Sequence, residues 1–146
     1  MSLITDKVFY NALKSNATLV DAVGDRIENT TFAEPDEAFL NEPVPYIFIM
    51  YDGMQNDGFT KDNNFEGDVD HVQISIGVTA DNREQLGELM ETIRQTVVDY
   101  FESDQHEKDD IDLVPIHYTL TASDIQYDPD KPCFHQALMY NCDTNP

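Results

Sequence analysis

Basic residues are scarce: eight Lys and Arg stand against 29 Asp and Glu in 146 residues, a formal charge of −21. That imbalance leaves electrostatic binding to nucleic-acid phosphates or anionic lipid close to excluded, because the surface repels polyanions. No apolar run approaches the roughly 20 residues that span a bilayer. The opening Met-Ser-Leu-Ile-Thr-Asp-Lys has neither a basic region nor a continuous apolar one, so a soluble chain without export is expected. There are only two cysteines, Cys133 and Cys142, whose positions differ by an odd number. On one regular strand they would face opposite sides of a sheet, and two free thiols are expected. There is no G-x-S-x-G, no catalytic cysteine setting and no glycine-rich phosphate loop, so neither an enzyme nor a cofactor is expected.

Hydrophobic residues at 40% and aromatics at 10% are enough for an ordinary core, so one domain over 1–146 is expected rather than an acidic disordered chain. Ser2 can cap a first helix in which Ile4, Val8 and Ala12 recur at i, i+4, with Phe9 and Leu13 beside them, ending near Ser15. Asn16 offers a second cap, Leu19, Val20 and Val23 make a short apolar stretch, and Gly24 sits where a left-handed residue ends a helix. Arg26 to Thr30 suits a short strand, and Glu34-Pro35-Asp36 and Pro43-Val44-Pro45 punctuate a loop. Tyr46 to Tyr51 is an unbroken apolar and aromatic run and predicts a strand covered on both faces, ended by Asp52-Gly53. Met54 to Asp68 reads as a long polar loop with Phe59 and Phe65 as its aromatics, one of two long loops, near 52–68 and 103–112.

Val72, Ile74, Ile76 and Val78 alternate with polar or small residues and predict the most secure strand. Asp81 and Glu84 resemble a capping box opening a helix whose Leu86, Leu89, Met90, Ile93, Val97, Tyr100 and Phe101 share one arc. The opposite arc carries Glu84, Glu88, Glu91, Gln95, Asp99 and Glu102, an acidic stripe that either faces solvent or lines a lumen. Two strands close the chain, one alternating through Ile116, Tyr118, Leu120 and Ala122, the other through Phe134, Gln136, Leu138 and Tyr140. The expected fold class is α+β: a mainly antiparallel sheet of four to five strands, with one long and one or two shorter helices packed on it.

The four histidines are scattered; His117 and His135 could meet across a hairpin, but no third ligand stands at a zinc-like spacing, so no metal site is expected. Asp52, Asp57, Asp62, Glu66, Asp68 and Asp70 do not supply the calcium-loop series in any register. The acidity admits three readings: adaptation to high salt, mimicry of DNA by an inhibitor, and a pore wall along which DNA slides without sticking.

The layout resembles the tail-terminator, or tail-completion, family of tailed viruses over nearly the whole chain. The resemblance is carried by Val8 to Lys14, by Leu19 to Ile27, by Pro43 to Ile49, by His71 to Ala80 leading into the helix of Leu86 to Phe101, and by the strand of Phe134 to Tyr140. It implies a virion structural protein in the tail or neck, assembled in the host cytoplasm. It also implies a homo-hexameric ring that caps the tail tube, halts polymerisation of the tail tube protein and receives the head–tail connector protein. DNA would pass through the ring without specific binding, and no membrane is involved. On this reading Met54, Phe59 and Phe65 are interface candidates, and Glu84, Glu88, Glu91, Asp99 and Glu102 line either the lumen or solvent. The charge adds the expectation of a virus of a halophilic host. The competing readings are an acidic DNA-mimic inhibitor of a DNA-handling enzyme and a generic salt-adapted interaction domain.

Overall fold

The computed structural model describes residues 5–24, 26–29, 44–57, 69–103 and 117–144. Among them run α1 (Thr5–Lys14), α2 (Ala17–Val23), β1 (Ile27–Asn29), β2 (Tyr46–Asp57), β3 (Val69–Ala80), α3 (Arg83–Glu102), β4 (His117–Ala122), β5 (Gln126–Asp128) and β6 (Cys133–Thr144). The sheet order is β1-β2-β3-β6-β4, with β5 paired to β6. The fold is α+β, and the six-stranded sheet is mixed: β1 runs parallel to β2, and the other pairings are antiparallel. The expected four to five strands become six because the turn sequence after Ile125 contributes β5, three residues long and mostly exposed, too short to show an alternation.

The helix ends follow local chemistry. Asn16 caps α2 by accepting the Leu19 N–H at 3.0 Å, and Gly24 ends it at φ 60°, the left-handed conformation that glycine adopts without a side-chain clash. The cap of α3 lies one residue later than expected. Asn82 accepts the Gln85 N–H at 2.8 Å while the Gln85 side chain accepts the Asp81 N–H at 3.2 Å. Glutamine is therefore the residue that reaches back, and Glu84 is left free at the dipole's positive end. The Ser2 cap lies outside the described residues.

The three described helices cover one face of the sheet. Its core is Ile47 and Ile49 of β2, Val72, Ile74, Ile76 and Val78 of β3, and Leu138, Tyr140 and Cys142 of β6, packed against Phe9, Leu13, Leu19, Leu86, Ile93 and Val97. The rings of Phe9, Phe101, Tyr118 and Tyr140 meet edge-on or tilted in a closed circuit with centroids 5.0–5.7 Å apart, joining α1, α3, β4 and β6.

The strand expected to stop at Asp52-Gly53 instead continues to Asp57. The register shifts by one residue between Tyr51 and Gly53, and Gly53 takes φ 139°, so a bulge absorbs the polar pair without breaking the ladder. Nor is β2 covered on both faces throughout: Ile47 and Ile49 are fully buried, but Phe48 and Met50 on the opposite face are only half-buried. Among the described residues, no helix is long and apolar enough to cross a membrane.

Candidate assembly surface

β4 is an edge strand: it pairs with β6 on one side, and no described strand lies on the other. Tyr118 and Leu120 point inward and are half-buried, whereas His117, Thr119 and Thr121 are exposed. Because α3 packs over β3 and β6, the sheet extends past the helix and leaves a groove of about 670 Å³ between them. Met90 from α3, Leu120 and Ala122 from β4 and Leu138 from β6 give it an apolar lining, and Glu84, Glu88 and Glu91 with Arg83 and Arg94 supply the charged one. An unpaired edge next to an apolar groove is a surface to which another chain can add a strand or seat a side chain.

The acidic stripe lies where the helical period puts it. Glu84, Glu88, Glu91, Asp99 and Glu102 are all exposed, with Leu86, Leu89, Met90, Ile93, Val97 and Tyr100 buried opposite. The groove divides the stripe: the first three carboxylates line it, and Asp99 and Glu102 lie beyond, Asp99 accepting a hydrogen bond from Gln95 at 2.9 Å. Arg83 and Arg94 interrupt the negative charge at the groove, a pattern that phosphate imitation would not require.

The face opposite the helices carries no described layer. A hollow of about 260 Å³ there is lined by Phe48, Met50, Gly77, Ala137 and His135, among others, and Met139 beside it is 37% exposed. Around the bulge the Ser75 hydroxyl donates to the Asp52 carboxylate. Farther along, Asp143 lies between two histidines, 2.6 Å from His71 Nδ1 and 3.5 Å from His117 Nδ1.

Burial sets the proton affinities beneath this sheet. It pushes the Cys142 thiol up to about 12, with Asp143 adding to the effect, and raises the Tyr140 phenol above its ordinary value. Both groups therefore stay neutral at physiological pH.

Of the residues singled out from sequence, Met54 stands on β2 opposite Val72, 38% exposed, rather than in a loop, because the bulge carries the strand past it. Phe59, Phe65 and the 104–112 part of the second loop lie outside the described residues. His117 and His135 do not meet. His117 pairs in register with Asp143, eight residues along β6 from His135, or about 27 Å at strand rise. Both cysteines are free, as expected, and both are buried. Not singled out as surface candidates were Arg83, Arg94 and Leu138, which line the groove, and the half-buried Phe48 and Met50; the groove depends on which described strand lies at the edge, and the half-burial on which face the helices leave open, neither of which alternation encodes.

No protein-family model matches this chain, and a search of curated proteins returns no match. The fold is similar to that of a chain in a solved structure described as the virion of a native gene transfer agent (GTA) particle. The TM-score is 0.55 at 11% identity, over 97% of this chain and 94% of that one. At that identity the likeness establishes a shared fold.

Proposed function

We propose that this chain is a virion structural protein that caps the tail tube as a ring, ends tube polymerisation and joins the tail to the head connector. The observation that carries the reading is the near full-length fold likeness to a chain of a virion particle, combined with an open edge strand and groove on this chain. A closed ring needs two unlike patches on each subunit that meet head to tail. The β4 edge with its groove is one. Met54, Phe59 and Phe65 are assigned to the other, or to the tube. The partners are further copies of the chain in a homo-hexamer, the tail tube protein and the connector protein. A charge of −21 per subunit suits a conduit through which DNA moves without adhering.

The test is capping. Added to polymerising tail tube protein, the chain should shorten the tubes and leave a density at their tips. Ala122→Trp, which fills the groove at an exposed position, should stay folded and fail to cap, as should the Phe59→Ser, Phe65→Ser double variant if those rings are anchors. Tubes of unchanged length at excess protein would refute the assignment.

A further inference from the structure

We propose that Asp128, Cys133 and His135 form a transition-metal site at the foot of the β5–β6 hairpin, suited to Zn²⁺. The site is independent of the ring reading.

Strand register assembles the three residues. Asp128 and Cys133 are direct cross-strand partners, which brings their Cβ atoms to about 5 Å, and His135 follows Cys133 by two residues on the same face. One ligand atom from each lies within 4.8 Å of the other two. Cys133 Sγ and His135 Nε2 are 3.4 Å apart. Tetrahedral zinc, with bonds of roughly 2.3 Å to sulfur and 2.0 Å to nitrogen, holds such a pair about 3.5 Å apart.

The supporting contacts favour ligation over a passive cluster. His135 Nδ1 is 2.7 Å from the hydroxyl of Thr79, which is fully buried, so the ring is fixed from behind. With Nδ1 donating to that hydroxyl, Nε2 carries its lone pair toward the sulfur, as a metal-bound imidazole requires. Asp128 Oδ1 accepts the backbone N–H groups of Asp130 at 3.0 Å and Lys131 at 3.5 Å, so the turn holds the carboxylate in place. Cys133 is 1% exposed while Asp128 and His135 are half-buried, which leaves an approach for an ion.

A thiolate with an imidazole selects zinc or cobalt over calcium and magnesium, which prefer all-oxygen shells. On binding, the S–H proton passes to solvent as the metal–sulfur bond forms, and affinity rises with pH accordingly. Three protein ligands leave the fourth position to water.

The experiment titrates Co²⁺ into the full chain in molar NaCl. Surface carboxylates also hold Co²⁺, but only a thiolate gives the intense near-ultraviolet charge-transfer band. Wild type should develop that band at one Co²⁺ per chain and lose it when Zn²⁺ is added. Cys133→Ser should abolish the band and Cys142→Ala should retain it. His135→Gln, folded by circular dichroism, should weaken binding tenfold or more, and it decides the matter if Cys133→Ser fails to fold. A folded wild type without the band, a band that survives Cys133→Ser, or affinity unmoved by His135→Gln would overturn the site.

Discussion

The ring of Phe48 lies over Gly77 of the neighbouring strand: a Cβ on Gly77 would sit 2.3 Å from its Cζ and within 2.8 Å of both Cε atoms. The glycine in the otherwise alternating Val72–Val78 strand is therefore a seat for an aromatic side chain. Gly77→Ala should destabilise by about 1–3 kcal/mol, the usual cost of overpacking. In a Phe48→Ala background the same substitution should cost far less, and denaturant melts of the four proteins would measure the coupling. An equal cost in both backgrounds would contradict the contact.

Asn16 binds two helices with one side chain. Its Oδ1 caps α2 and its Nδ2 donates to Thr96 Oγ1 of α3 at 2.8 Å, while Thr96 itself donates to the Thr92 carbonyl at 2.6 Å. Asn16→Ala should lower stability by about 1–2 kcal/mol. Asn16→Ser, which keeps a capping oxygen but not the reach to Thr96, should fall between. Thermal melts of the three proteins order them.

Alkaline pH should unfold the chain early. The Cys142 thiol, ordinarily near 9.0, is pushed up to about 12 in the folded state, so between these values the native state holds a proton that the unfolded state has lost. Its stabilising contribution is complete below pH 9 and declines as pH rises toward 12. Cys142→Ala should therefore show a shallower loss of denaturant midpoint between pH 9 and pH 11 than wild type, whatever its stability at neutral pH.

Salt should stabilise the fold. With −21 formal charges on one small domain, raising NaCl from about 0.1 M to 2 M shortens the screening length several-fold and relieves self-repulsion. The melting temperature should climb by several degrees, and a flat profile would remove the salt-adapted reading.

Much of the architecture is written in short-range pattern. The period of Leu86 to Phe101, the alternation of Val72 to Val78 and the Asn16 and Gly24 caps each encode their own element, because each depends on neighbours within a turn or a strand. Three features escape such reading. Gly53 continues β2 where a polar pair looks like an end, since a bulge is a property of two strands in register. The groove beside Leu120 exists because β4 is the edge among the described strands, a fact of topology. Asp128, Cys133 and His135 converge only once β5 pairs with β6, so their spacing along the chain matches no ligand motif.

The most direct test of the central proposal is the mass and image of the purified chain in molar salt, by native-state mass measurement and negative-stain microscopy over a wide protein range. The account predicts closed rings of six subunits with a central hole, and their loss in Ala122→Trp. Monomers or dimers alone, both free in solution and at the tips of tail tubes, would contradict it.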